Sequence, residues 1–313
     1  MKRTSVATSV LLAVVLLGEA LLSACGRQSS RPPGVTIGVS LLTRTHPFYQ
    51  ELEAGLREAA AEKGYTLIVQ SGEFDVARQK DQIEDFIASK VSILIVSPCD
   101  SRSIGTSIEA ANKSGIPVFT ADIAVLVPGA RIVCHTASDN VEGGRLAAQA
   151  IREALSGQGR VAIIDHPEVE SVMERVRGFE EEIARQPGIE IVAKLSGHGM
   201  KDAAFRAGED ILQAHPDLGA IFGINDDSAL GALTAVEKAN RQGRVTIVGF
   251  DAVPEARQAI RDGKIYADVI QQPRAIGRET IRAAAAYMAG ETVPPVHRIP
   301  CRLYTRDDAL GGK

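Results

Sequence analysis

No run of basic residues, no CxxC or zinc-finger spacing and no apolar stretch long enough to span a bilayer occurs in this 313-residue sequence. A formal net charge of −4, with Lys and Arg spread along the chain, leaves no electrostatic footprint for nucleic acid. Of the four cysteines, Cys99, Cys134 and Cys301 form an odd set beyond the N-terminal region. One bridge between two of them is open in an oxidising compartment, and a small buried hydrophobe is the simpler role for each. The histidines at 46, 135, 166, 198, 215 and 297 share no ligand spacing on one element, so no metal is implied. A nucleophile elbow, a Walker A loop and an HExxH helix are all missing, and Gly197-His198-Gly199 lacks the rest of a dinucleotide fingerprint. Neither an organic cofactor nor a catalytic motif is therefore expected. What is present, 45% hydrophobic and 24% charged residues, is the balance of a globular chain with enough length for two cores.

The N-terminus carries its own pattern. Lys2 and Arg3 precede an apolar run from Val10 to Leu17 that falls short of the ~20 residues of a membrane span. Gly18 and Glu19 interrupt it, and Leu22-Ser23-Ala24-Cys25 follows, which resembles a bacterial lipobox. This order predicts a signal peptide over 1–24, acylation of Cys25 and a polar, Pro-containing tether over 25–34. The protein is then lipid-anchored in the cell envelope, on the extracytoplasmic side.

Further on, short apolar β-branched runs alternate with helical periodicity. Strands are predicted at Val35 to Leu41, Thr66 to Val69, Val91 to Val96 and Pro117 to Thr120, then at Val161 to Ile164, Ile189 to Ala193, Ala220 to Ile224 and Thr246 to Phe250. Leu52, Leu56, Ala59 and Lys63 recur at helical spacing behind Pro47, and Asp139-Asn140 reads as an N-cap for a helix ending near Leu155. Continuous rather than alternating apolar strands in βαβ order belong to parallel sheets covered on both faces, so two doubly wound α/β lobes are expected. Ligands of such sheets collect beyond the carboxyl ends of the strands. Polar residues recur there: Ser97 and Asp100, Asp122, Asp165, Asn225-Asp226 and Asp251. Any single one could be a helix cap or a turn former.

Taken in order, HPFYQ from His46, SPCDS from Ser97, ASDN from Ala137, RVRGF from Arg175, NDDSALGAL from Asn225, VGFD from Val248 and QQP from Gln271 resemble the type I periplasmic sugar-binding proteins of ABC transporters, in their ribose-binding group. The resemblance implies two parallel-sheet lobes joined by a three-segment hinge, with crossings near Ser138, Gln271 and Pro300. One lobe would comprise 35–138 plus 272–300, the other 139–271 plus 301–313. It implies closure of the lobes on a sugar or polyol and delivery to a membrane permease. It also implies that Asp122, Arg175, Asn225, Asp251 and Gln271 bond hydroxyls while Phe48 and Tyr49 pack on the ring face.

Three departures bear on ligand identity. His46 stands where that group often has Asn, Ile123 stands where ribose binders carry Arg, and the segment Gly197 to Met200 offers only His198 and Met200 where a second-lobe aromatic is expected. His46 or Arg44 would supply the lost polarity. Structural alternatives stand beside each assignment: Phe48 and Tyr49 as core, Arg175 paired at the surface with Glu174 or Glu180, Asn225 and Gln271 as caps. Three other functions are weighed as well. A glycoside-cleaving enzyme would use Asp122 with Asp251, a repressor would need a helix-turn-helix ahead of the lobes, and a sensory binding protein fits every residue cited.

Overall fold

The computed structural model describes residues 34–311. The expected signal peptide, Cys25 and nearly all of the tether lie outside the described residues.

Two six-stranded sheets form the molecule. The first contains β1 (Thr36–Leu41), β2 (Thr66–Ser71), β3 (Ile93–Val96), β4 (Val118–Ala121), β5 (His135–Ser138) and β11 (Val296–Ile299), in the order β11-β5-β4-β3-β1-β2, and every pairing is parallel. The second contains β6 (Gly159–Asp165), β7 (Ile189–Ser196), β8 (Ala220–Gly223), β9 (Thr246–Asp251), β10 (Ala267–Ile270) and β12 (Arg302–Thr305), in the order β12-β10-β9-β8-β6-β7. Strands β3, β4 and β8 are buried along their whole length, as continuous apolar runs covered on both faces must be.

The chain passes between the sheets three times, after β5, after β10 and between β11 and β12. The last passage explains why β12 alone is antiparallel to its neighbour, β10. A chain leaving β11 at the carboxyl edge of one sheet and entering the other within two residues meets that sheet at its carboxyl edge too. Without a crossover helix it must run against its neighbours. Strands β5, β10 and β11 are elements that the apolar-run reading does not identify.

Ten helices flank the sheets among the described residues. Helix α1 (Pro47–Glu62) buries Leu52 and Leu56 completely and packs on α9 (Pro273–Met288). In the second lobe α4 (Asn140–Ala154), capped by Asp139, packs on α5 (Glu170–Ile183). This crossing is glycine-dependent: a Cβ at Gly144 would sit 1.9 Å from the Arg175 carbonyl oxygen, and one at Gly178 would sit 2.0 Å from that of Val141. Close approach of the two backbones thereby fixes where Arg175 stands. The remaining helices are α2 (Val76–Ala88), α3 (Gly105–Lys113), α6 (Lys201–Ala214), α7 (Asp226–Lys238), α8 (Pro254–Arg261) and the short α10 (Arg306–Ala309). Cys99, Cys134 and Cys301 are all free thiols, the first two buried.

Candidate binding site

Where the carboxyl ends of the two sheets face each other, a cavity is lined by residues of both, including His46, Phe48, Tyr49, Phe74, Asp122, His166, Arg175, Asn225, Asp251 and Gln271. It offers about 50 Å³ to the centres of water-sized molecules, several times the ~10–15 Å³ that one water requires. All eight site residues singled out from the sequence meet here.

The start of α1 supplies one wall. Pro47 takes the first helical position, where a missing N–H costs nothing, and His46 caps the helix by accepting the Phe48 N–H on Nδ1 at 3.2 Å. That bond leaves the proton on Nε2. The Nε2 atom is buried without a hydrogen-bond partner among the described residues and lies 3.7 Å from Asp251 Oδ2, too far for a direct bond. Phe48 and Tyr49 are both buried and meet edge to face with centroids 5.1 Å apart. Tyr49 does more than pack: its hydroxyl donates to Asp122 Oδ2 at 2.7 Å.

Asp122 follows β4 with φ of 70°, a left-handed conformation unfavourable for a side chain with a Cβ. Burial pushes its carboxyl up to about 6, against the opposing pull of the Tyr49 hydroxyl and of Arg175. Asp251, with φ of 114°, ends β9. Burial raises its pKa as well, opposed by His46, Arg175 and the Gln271 amide, which donates to Oδ1 at 2.5 Å. The other amide atom, Gln271 Oε1, is buried with no partner among the described residues.

Arg175 is not a surface residue paired with Glu174 or Glu180. It is buried, gives Nε and Nη2 to Asn140 Oδ1 at 3.3 and 2.9 Å, gives Nη1 to the Ile224 carbonyl, and lays its guanidinium 3.5 Å from the Phe250 ring centroid. Three of its five N–H groups are thus engaged, leaving two. Asn225 lines the cavity while capping α7, accepting the Ser228 N–H at 2.9 Å and donating to the Gly199 carbonyl at 3.0 Å. Much of its capacity is spent within the lobe.

The structure departs from the sequence expectations at several places. Arg44 contributes no polarity to the cavity: it is half-exposed and forms a bidentate pair with Glu53, both contacts 2.7 Å. Asp100 caps the turn at Arg102 and Ser103, Ser97 bonds the Ala121 carbonyl and Asp165 accepts the His166 N–H, so none of these three lines the cavity. His198 and Met200 are exposed. The ring at that position comes from His166 instead, buried beside the cavity with its centroid 6.3 Å from that of Phe74 across the cleft. Burial drives the His166 pKa down to about 4, so the ring is neutral near pH 7. Its signal in sequence is its place directly after β6. Phe74 has φ of 64° in a turn beyond β2, which no periodicity reveals.

Comparison with known proteins gives concordant matches. The family model described as periplasmic binding protein domain matches residues 37–292. The chain is 33% identical over 310 residues to the ribose import binding protein of Bacillus subtilis (strain 168), covering 96% of this chain and 99% of the relative. A periplasmic solute binding protein of an ABC transporter from Actinobacillus succinogenes 130z, solved with bound D-allose, is 29% identical with a TM-score of 0.81, covering 88% of this chain and 99% of that one. The Caulobacter myo-inositol binding protein, bound to myo-inositol, is 27% identical with a TM-score of 0.83, covering 90% and 97%.

Proposed function

Because the chain belongs to the periplasmic binding protein family, we propose that it captures a monosaccharide-sized sugar or polyol between its lobes outside the cytoplasm and delivers it to an ABC importer. The observation that carries this reading is the set of buried polar atoms around one small cavity. His46 Nε2 and Gln271 Oε1 have no partner among the described residues, and two desolvated carboxyls stand beside them. Each such group costs about 1–3 kcal/mol when buried unsatisfied. A polyhydroxylated ligand answers them together. One hydroxyl accepting from His46 Nε2 and donating to Asp251 Oδ2 bridges their 3.7 Å gap. A second donates to Asp122, the two remaining Arg175 N–H groups and the free Asn225 N–H donate, and Phe48 meets a C–H face. Relatives that bind ribose, D-allose and myo-inositol fit this ligand class. The relatives are binding proteins of transporters rather than enzymes.

In this reading the lobes, 35–138 plus 272–300 and 139–271 plus 301–313, hinge at the three chain passages and close on the ligand. Cys25 is acylated after removal of 1–24. The order of Lys2 and Arg3, the apolar run from Val10 to Leu17 and Leu22-Ser23-Ala24-Cys25 supports this part of the reading.

The test is a melt of the chain lacking residues 1–25 with D-ribose, D-allose, myo-inositol and related pentoses and polyols. A ligand at 100 times its Kd adds about 2.7 kcal/mol, which raises Tm by roughly 5 °C in a chain of this size. One sugar or polyol doing so, with the shift abolished in Asp251→Ala, is the expected result. A silent panel overturns the sugar assignment. A mature protein whose Cys25 carries no acyl chain by mass spectrometry overturns the anchor.

A further inference from the structure

Behind the cavity lies a second pair of carboxyls, Asp226 at the start of α7 and Asp268 in β10, each 0% exposed. Asp268 stands in register with Gly249 of β9, and both side chains converge over that glycine. A Cβ built there would meet Asp268 Oδ2 at 2.8 Å and Asp226 Oδ1 at 3.1 Å. Those same two oxygens have no hydrogen-bond donor among the described residues, although the two side chains are within bonding reach of each other. Two buried carboxylates cannot bond one another as anions. With one proton between them, both orphaned oxygens are satisfied at once.

The outer oxygens of the pair hold the backbone that carries Asp251. Asp226 Oδ2 accepts the Val253 N–H at 2.5 Å and Asp268 Oδ1 accepts the Ala252 N–H at 3.3 Å. Asp251 and Ala252 both have positive φ, 114° and 56°, so this turn is strained and needs outside support. The charged group that bears on both members of the pair is Asp251 itself, which disfavours their ionisation further, while His46 and Arg175 act on Asp251. On α7 the neighbouring Asp227 feels His46 and Lys201. No cation bonds either member of the pair among the described residues.

We propose that Asp226 and Asp268 share one proton and act as positioning residues, locking the Asp251–Ala252 turn so that the Asp251 carboxylate faces the ligand. The consequence rests on the ligand-binding reading above: affinity falls as pH rises and the shared proton is lost, because two adjacent anions push apart and release the turn. The direction follows from burial, which raises both carboxyls above their ordinary range: Asp268 raises Asp226 further, whereas the bond from Asp226 holds Asp268 down to about 7. A group raised in the folded state stabilises the fold fully below its unfolded pKa, and that contribution is lost as pH rises through the folded value.

Asp268→Asn decides the matter. Its amide keeps an acceptor for the Ala252 N–H and supplies the bridging hydrogen from Nδ2 without needing a proton from solvent. As pH rises from about 7 into the alkaline range the wild type should lose about tenfold in affinity for whichever of D-ribose, D-allose or myo-inositol binds, whereas Asp268→Asn should lose less than about threefold. Ligand-free melts over the same range provide an arm that needs no sugar. The wild-type Tm should fall by several degrees more than that of Asp268→Asn or Asp226→Asn. Equal alkaline losses in wild type and Asp268→Asn overturn the shared proton, as does a rise in ligand-free Tm with added calcium, which would mean that the oxygens share a cation instead. If no sugar binds at any pH, the binding reading fails, and the melts still decide the proton.

Discussion

The two walls of the cavity are built on opposite plans. On the side of the second sheet, Arg175 is tied to Asn140 and to the Ile224 carbonyl, Asn225 caps α7, and Asp251 is held by Gln271. On the side of the first sheet, Asp122 receives one side-chain bond, from Tyr49, and the His46 Nε2–H donates to no group among the described residues. One wall is a network satisfied largely from within its own lobe, whereas the other presents groups that await a partner. The difference follows from the order of assembly that a hinge imposes: a preorganised wall keeps its geometry while the lobes are apart, and binding then has less ordering to offset.

Removing the central member of each wall should expose that difference. Arg175→Met leaves Asn140 Oδ1 and the Ile224 carbonyl buried without their donor, so it should cost about 2–5 kcal/mol of stability and abolish measurable binding. Tyr49→Phe deletes one bond on the opposite wall and should cost about 1 kcal/mol. Chemical denaturation of both variants checks this. Equal destabilisation would mean that the first-sheet wall is as rigidly built as the second.

A smaller effect is expected in the pH dependence of the first-sheet wall. Asp122 is pushed up to about 6 by burial while Tyr49 pulls it down. Because its folded pKa lies above the unfolded one, its contribution to ligand-free stability is present at low pH and lost as pH rises through about 6. Ligand hydroxyls that donate to the anion matter only above that point. Tyr49→Phe raises Asp122 further, so the variant should bind several-fold more weakly than wild type near pH 6 and nearly equal it near pH 8. Calorimetric titration at the two pH values reads this, and a constant ratio between variant and wild type would remove Asp122 from the ligand.

How much of this is legible in the sequence depends on how each residue announces itself. The principal strands are apolar runs and their polar successors mark the strand ends, which is how Asp122, Asn225 and Asp251 come to attention. Strands β5, β10 and β11 escape because His135-Thr136, Asp268 and His297-Arg298 interrupt the apolar pattern. A fully buried Asp268 inside a strand is costly unless paired, and its partner Asp226 lies 42 positions earlier, so only the fold brings the two together. Phe74 and His166 reach the cavity by a left-handed turn and by the tightness of Gly199, where a Cβ would come within 2.9 Å of His166 Nδ1. Local conformations of this kind leave no periodic trace. Arg44 shows the opposite failure, since its proximity to His46 in sequence suggests a role that its pairing with Glu53 removes.

That pairing yields the smallest effect and a sharp boundary for the first-sheet wall. Glu53 also holds Arg57 at 2.7 Å, so Arg44→Ala leaves the carboxylate with a partner. Arg44 is half-exposed although Glu53 is buried, and with Arg57 still bonded to the carboxylate the loss of one member of this shared pair should cost only about 1 kcal/mol of stability. Affinity should stay within about twofold of wild type, a change of under half a kcal/mol. His46→Ala, two residues on, deletes both the α1 cap and the buried Nε2 donor, and should weaken binding about tenfold while costing about 1 kcal/mol of stability. If Arg44→Ala weakened binding as much as His46→Ala, the wall would extend beyond the enclosed cavity to the exposed rim. The ligand would then have to be larger than a single ring, with polar groups reaching past His46.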